Sequence, residues 1–180
     1  MPLHVELNDA ASEADLDAVE DGLGGPLPAC LREILARHDG AQTYAESGEL
    51  GWILHGTRAA RIVRDGALAR STDAAEYLDY VVESYGDVAP LIAETASFAD
   101  WLDALRDEDL EAFPRGYVCV AAHWGHHGSC WAPLRAEATE LLFIPSPRVD
   151  DVEALDAALR GPRVPLAGFA EALFAGEEPM

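Results

Sequence analysis

Apolar residues near the start of the chain recur every three to four positions, the spacing of one face of an α-helix. Leu16, Val19 and Leu23 follow this spacing. Ser12 and Asp15 approximate a capping box just before them, with Asp in the place where Glu is preferred. The pattern therefore predicts a first helix that begins after Ser12.

A second helix is predicted directly after the first. Glycines at 22, 24 and 25 end the first helix, and Pro26-Leu27-Pro28 sets an extended step into the second. Gly40 is the expected C-terminal cap, with Arg37 and His38 in the last turn. The apolar face of this helix consists of Leu27, Leu31, Ile34, Leu35 and His38.

Five segments of the chain are predicted to form β-strands. Residues 3–7 alternate as an edge strand, and residues 41–50 form a loop that leads into a half-buried strand at 51–56, where Trp52 is a core aromatic. The later apolar runs have turn residues between them and predict successive antiparallel strands. These runs are Tyr117 to Ala122, Ser129 to Leu134 and Leu141 to Ile144.

Further helices are predicted between and after the strands. One runs from Asp73 to about Ser84, with Val82 on its apolar side, and Tyr85-Gly86-Asp87 makes the turn after it. Another begins at Ser97, whose hydroxyl can cap it. A short helix is expected at 150–160. The closing helix has Phe169, Leu173 and Phe174 facing inward.

The two-helix unit resembles the opening of the SUKH superfamily, the Smi/Knr-type domains. That family pattern runs as a glutamate, Leu-Gly, Leu-Pro, an aromatic, a leucine and a closing Asn-Gly. The matching positions are Glu20, Leu23-Gly24, Leu27-Pro28, Leu35 and Asp39-Gly40. Leu31 stands where an aromatic is usual, and Asp39 replaces the asparagine. The resemblance covers residues 12–56.

The resemblance implies an α+β fold in which an antiparallel central sheet packs against the N-terminal helices and a C-terminal helix. Residues 1–180 would form a single SUKH-like domain, with residues 57–112 as a helical insertion or elaboration. The best-known branch of the family is a fungal cell-wall regulator, and many bacterial members are immunity proteins. Such proteins are not enzymes and need no cofactor.

Charge is the strongest feature of the composition. The chain has 12 basic residues, all of them arginine, against 33 acidic residues, which gives a formal net charge of −21. Such a surface repels nucleic acid and anionic lipid, so neither is an expected partner. It would attract a basic protein. Acidic, lysine-poor composition is also typical of GC-rich or salt-adapted organisms, so charge alone does not identify a partner.

The three cysteines, Cys30, Cys119 and Cys130, cannot all pair within one chain and show no disulfide framework spacing. A reduced cytoplasmic setting fits them, and the N-terminus shows no secretion signal. Cys30 lies near the start of the second helix, where the helix dipole can activate a thiol. We expect an inert, packed thiol there instead.

One cluster offers metal-ligand chemistry. The side chains of His123, His126, His127 and Cys130 lie within eight positions, beside Trp124, and imidazole and thiolate bind zinc. Because metal sites usually pair two separated clusters and no second cluster exists, an ordered hairpin loop is the expected interpretation. A metal-dependent enzyme that uses this loop remains a weaker alternative.

The densest acid patch follows Ser97 and is the predicted surface for a basic partner, although such runs are usually solvated helix faces. The acid patch consists of Asp100, Asp103, Asp107, Glu108, Asp109 and Glu111. Two residues of the loop, His123 and Trp124, are predicted to contact the partner as well.

We therefore expect an immunity protein that binds a cognate toxin domain, a nuclease being one candidate. A regulatory or scaffold module of the fungal type is the alternative. The sequence does not fix the toxin or the oligomeric state.

Overall fold

The computed structural model describes the chain over residues 3–59, 72–104, 116–125, 128–145 and 157–180, without the side chains of 72–74, 98–99 and 101–104. Its helices are α1 (Glu13–Leu23), α2 (Ala29–Arg37), α3 (Thr72–Ser84), α4 (Pro90–Ala104) and α5 (Leu166–Phe174). Its strands are β1 (His4–Leu7), β2 (Ala41–Tyr44), β3 (Leu50–Leu54), β4 (Tyr117–His123), β5 (Gly128–Pro133), β6 (Glu140–Pro145) and β7 (Arg163–Pro165).

The seven strands form one sheet in chain order, and each strand is antiparallel to its neighbour. The α+β class and the antiparallel sheet are thus confirmed. The strands predicted at 3–7 and in the three later apolar runs are also confirmed, as β1, β4, β5 and β6.

The predicted loop at 41–50 is wrong, because its first four residues form β2 between β1 and β3. All four residues of β2 are buried, including the polar Gln42 and Thr43. At a bulge in the β2–β3 pairing, the Thr43 hydroxyl accepts a hydrogen bond from Trp52 N at 2.8 Å and donates to Trp52 O at 3.2 Å. The hydroxyl therefore replaces ladder bonds that the bulge removes.

Strand β3 is buried on both faces, so its prediction as a half-buried strand is wrong. Trp52 and Leu54 belong to the main core, and Ile53, which points to the opposite face, belongs to a second cluster under α3. Trp52 is a core aromatic as predicted, and its indole N–H donates to Glu178 at 2.8 Å.

Helix α1 begins with the predicted capping box. Asp15 N donates to the Ser12 hydroxyl at 3.2 Å, and Ser12 N donates to the Asp15 carboxylate at 3.1 Å. The helix ends at Gly24, whose φ of 76° lies in the left-handed region that favours glycine. Glu20 then accepts a hydrogen bond from Leu27 N at 2.9 Å, which ties the end of α1 to the Leu-Pro step.

The end of helix α2 differs from the prediction. The helix ends at Arg37, and His38 is extended with φ of −142°, so Gly40 is not its cap. Gly40 has φ of 94° and lies against β3, where an added Cβ would come 2.8 Å from Leu54 O. The glycine is required by this close approach of two strands, not by helix termination.

Asp39 is fully buried at the same junction. Its carboxylate accepts hydrogen bonds from Thr57 N at 2.6 Å and from the Thr57 hydroxyl at 2.7 Å. Its carbonyl oxygen accepts a hydrogen bond from the Asn8 side chain at 2.9 Å. Asp39 therefore joins the end of α2 to the segments that follow β1 and β3.

Helix α3 contributes to the second cluster, whereas helix α4 contributes Leu91 to the main core. The helix predicted from Asp73 to Ser84 is confirmed, although Val82 is 62 % exposed and does not belong to its apolar side. The predicted start at Ser97 is wrong, because α4 begins at Pro90 and Ser97 lies inside it. Proline fits the first turn of a helix, where its missing N–H has no partner to lose.

The main core lies between the sheet and helices α1, α2 and α5. Phe169 and Leu173 are fully buried on α5, as predicted, while Phe174 is half-buried. Helix α4 contacts β4 and also reaches α1.

Two predicted helical segments fall wholly or partly outside the described residues. Residues 60–71 and 105–115 are not described, so a helical insertion at 57–112 stays a prediction. The short helix predicted at 150–160 also lies mostly outside the described residues.

Candidate functional site

A cavity of about 460 Å³ opens between the ends of β3 and β4 and the helices α3 and α4. Its lining is mainly aromatic and polar. The polar and aromatic side chains that line it are His55, Glu76, Tyr77, Tyr80, Tyr85, Glu94, His123 and Trp124.

The aromatic side chains of the cavity contact one another edge to face. The Tyr77 and Trp124 rings are 5.2 Å apart at 73°, and the Tyr80 and Trp124 rings are 5.7 Å apart at 69°. Tyr80 also contacts Tyr85 at 5.5 Å and 78°. Tyr77 and Tyr80 are three residues apart on α3, so the helix presents both on one side. The rings thus line the cavity at large angles to one another.

Glu94, from α4, is the acidic centre of this group. The hydroxyls of Tyr80 and Tyr85 each donate to Glu94 Oε1 at 2.7 Å. Burial raises the pKa of both tyrosines, and the negative charge of Glu94 raises it further. Both hydroxyls therefore remain protonated and act as donors. Neither Glu94 nor Glu76 forms an ion pair with another described residue.

His55 follows β3 and is only 2 % exposed. Its backbone N–H donates to Val120 O at 2.9 Å, which holds the residue beside β4. Neither ring nitrogen has a hydrogen-bond partner among the described residues. Burial lowers the pKa of His55, so the neutral ring carries one N–H donor and one acceptor nitrogen.

The hydroxyl of Tyr77, like the ring of His55, is a buried polar group without a described hydrogen-bond partner. The side chain is fully buried, burial raises its pKa, and its oxygen has no hydrogen-bond partner within the described part of the chain. Buried polar groups in native proteins are nearly always hydrogen-bonded, so unpartnered ones that line a cavity are suited to a bound molecule.

Two residues predicted as partner contacts lie at this cavity. His123 and Trp124 are both half-buried and both line it. The His123 and Trp52 rings meet in a T-shaped arrangement with their centroids 5.3 Å apart, and His123 Nδ1 accepts a hydrogen bond from Gly125 N at 3.1 Å. Trp124 N donates to Gly51 O at 2.9 Å, which fixes the turn after β4 against β3.

The predicted acid patch is described only in part. Asp100 is exposed on α4, and Asp103 lies on the same helix without a described side chain. The other four residues, Asp107, Glu108, Asp109 and Glu111, lie outside the described residues. The patch as a partner surface stays a prediction.

The metal alternative gains no support from the described residues. Cys130 is fully buried in the main core, and burial raises the pKa of its thiol to about 12, which disfavours a thiolate ligand. His126 and His127 lie outside the described residues. Within the described ranges, no three His, Cys, Asp or Glu side chains gather as metal ligands.

Cys30 is placed as an inert thiol. It is half-buried, donates to Ala138 O at 3.4 Å, and has a pKa raised by burial. Cys30, Cys119 and Cys130 are all free.

Six polar or aromatic residues of the cavity were not recognised from the sequence as functional: His55, Glu76, Tyr77, Tyr80, Tyr85 and Glu94. Tyr77 has the spacing of a core residue, and His55 is isolated in the sequence. One signal was present, since three of the chain's five tyrosines fall within nine positions. No local sequence pattern indicates that these tyrosines lie beside Glu94.

Comparisons with protein-family models, with curated proteins and with solved structures gave no match for this chain. No helix in the described ranges is long and apolar enough to cross a membrane.

Proposed function

We propose that this chain is a SUKH-like immunity protein, which binds a cognate toxin domain and blocks its active site or substrate entry. The observation that carries this function is the two-helix unit. Its family-pattern residues have specific structural roles: Glu20 bonds the Leu-Pro step, Gly24 ends α1, and Asp39 joins α2 to the sheet. The pattern thus reflects tertiary contacts as well as helical spacing.

The charge of the chain supports a basic partner. With 33 acidic and 12 basic residues, the protein has a formal net charge of −21. A nuclease toxin has a phosphate-binding surface that is basic, and an acidic inhibitor can imitate the nucleic acid backbone. Complementary charge of this kind mainly accelerates association. The acid patch at 97–111 and the cavity rim at His123 and Trp124 are the surfaces we expect to meet the toxin.

Co-expression tests the function directly. The toxic domain encoded beside this gene is produced in a bacterial host with and without the chain. Rescue of growth, together with a complex that survives purification, is the expected result. Unrelieved toxicity with both proteins present would contradict an immunity function. If no toxin gene lies beside the gene for this chain, a regulatory or scaffold module of the fungal type would be favoured instead.

Association kinetics test the electrostatic part separately. The Debye length falls from about 10 Å at 0.1 M salt to about 3 Å at 1 M, so added salt screens long-range attraction. We expect the association rate constant to fall with rising salt while the dissociation rate constant changes little. An association rate that does not respond to salt would exclude electrostatic steering and leave immunity itself intact.

A further inference from the structure

We propose that the cavity between α3, α4 and the ends of β3 and β4 binds an organic cation that carries several N–H groups, such as the guanidinium of an arginine side chain. The chemistry of the lining supports this ligand class independently of the toxin. The assignment of that cation to a residue of the partner protein rests on the proposed function.

The first reason is negative charge that no cation among the described residues balances. Glu76 and Glu94 both line the cavity, and no described cation pairs with either. The two tyrosine hydroxyls on Glu94 Oε1 donate hydrogen bonds but do not neutralise its charge. An anionic ligand would meet two carboxylates in a protein of net charge −21, so a cation is favoured.

The second reason is the aromatic lining. Tyr77, Tyr80, Tyr85 and Trp124 contribute ring faces and edges around one space. A cation within about 6 Å of an aromatic ring centroid is attracted by the ring quadrupole, and aromatic cages bind organic cations in this way. A guanidinium also stacks flat on such rings, which a compact ammonium does not.

The third reason is the pair of buried groups without partners. His55 and Tyr77 are 2 % and 0 % exposed, and their ring nitrogens and hydroxyl make no hydrogen bond with described residues. A neutral histidine nitrogen and a tyrosine oxygen can each accept a hydrogen bond from an N–H group. Both residues line the cavity, so a ligand whose N–H groups reach these atoms would satisfy them, which a wholly apolar ligand could not do.

The volume fits a ligand of this size. A cavity of about 460 Å³ falls within the range of roughly 300–1,000 Å³ that is typical of small-molecule sites. It exceeds what a single inorganic ion requires. An arginine side chain with part of its backbone is therefore a suitable occupant.

The first experiment uses purified protein and a small probe. Binding of N-acetyl-arginine methylamide is measured by calorimetry and by tryptophan fluorescence, to which Trp124 at the cavity contributes. N-acetyl-citrulline methylamide is the matched control, because it has nearly the same shape and no charge. We expect the arginine probe to bind at least tenfold more tightly. Equal binding of the two probes, or no binding of either, would overturn cation recognition whether or not a toxin partner exists.

The second experiment locates the probe. Glu94→Gln removes the charge and keeps an oxygen that can accept from Tyr80 and Tyr85, and we expect it to weaken probe binding at least tenfold. Asp79→Asn is the control, because Asp79 is exposed on α3 and does not line the cavity. Glu76→Gln provides a second, exposed cavity position if Glu94→Gln does not fold. Equal probe binding by Glu76→Gln, Glu94→Gln and Asp79→Asn would place the cation elsewhere.

The third experiment identifies the source of the cation. If an arginine of the partner toxin fills the cavity, Glu94→Gln should weaken toxin binding at least tenfold, and the free arginine probe should compete with the toxin. If toxin affinity is unchanged in a variant that has lost the probe, the partner is excluded as the source. The cavity would then be a site for a free small cation.

Discussion

Tyr77 and Tyr85 allow a sharp test of the cavity, because they differ in whether their hydroxyl has a partner. Both side chains are buried. The Tyr85 hydroxyl donates to Glu94 at 2.7 Å, whereas the Tyr77 hydroxyl has no partner among the described residues. Replacing either residue with phenylalanine removes one oxygen atom and retains the ring, so packing is nearly matched between the two variants.

Only one of the two substitutions is expected to destabilise the protein. A hydrogen bond to a charged group contributes about 1.5–3 kcal/mol, and Glu94 keeps its second bond from Tyr80, so Tyr85→Phe should lose about 1–2 kcal/mol of stability. An unpartnered buried hydroxyl costs about 1–3 kcal/mol, so Tyr77→Phe should be neutral or gain about 1 kcal/mol. The unpartnered hydroxyl would then be a cost to stability that is retained for binding.

Urea unfolding, monitored by tryptophan fluorescence and circular dichroism, measures the free energy of unfolding of each variant. Thermal unfolding measures the melting temperature. For a chain of 180 residues, about 1 kcal/mol shifts the melting temperature by roughly 2–4 °C. Tyr85→Phe should therefore melt lower than the wild type and Tyr77→Phe at the same temperature or higher. If Tyr77→Phe is destabilised as much as Tyr85→Phe, the Tyr77 hydroxyl has a partner in the folded protein and the reasoning fails.

Three further predictions concern stability. Asp39→Ala leaves the Thr57 N–H and hydroxyl buried without an acceptor and should cost roughly 2–6 kcal/mol in urea unfolding, whereas Asp39→Asn can still bond both groups and should cost clearly less; equal losses would contradict this role. Burial lowers the pKa of His55, so the unfolded chain takes up the proton first as the pH falls. The contribution of His55 to the free energy of unfolding should be fully present above about pH 6.5 and decrease below it. In His55→Gln, the free energy of unfolding should therefore change less between pH 7 and pH 5 than in the wild type. An identical pH dependence in the variant would refute this. Ser12→Ala removes the capping box of α1 and should cost about 1 kcal/mol in thermal unfolding, with Ser47→Ala, in an exposed turn, as the neutral control.

Local patterns determined the elements whose signals lie within a few neighbouring residues. Helix α1 has its capping box, its apolar spacing and its terminal glycine in one continuous stretch, and its predicted start is confirmed. Strands β4, β5 and β6 are continuous apolar runs separated by turn residues, so their positions and antiparallel order were also predictable. The acidic composition was evident at once.

Local patterns failed where burial depends on a distant segment. Strand β2 contains Gln42 and Thr43, which are typical of a surface loop, and becomes a strand because β1 and β3 pair on either side of it. Helix α4 begins at Pro90 because a proline can occupy a first turn, although Ser97 gives the more obvious capping signal. Gly40 faces the backbone of β3, so its positive φ does not mark a helix end.

The sequence by itself determined the helix–glycine–helix unit, the antiparallel strand runs and the negative charge, since neighbouring residues encode spacing and capping. Only the tertiary structure brought His55 from the end of β3, Tyr77 from α3 and Glu94 from α4 to one cavity. Each of these residues taken alone is an ordinary core or surface residue. Their chemistry arises because packing removes water from His55 and Tyr77 without giving them described partners, and because the fold places carboxylates beside them.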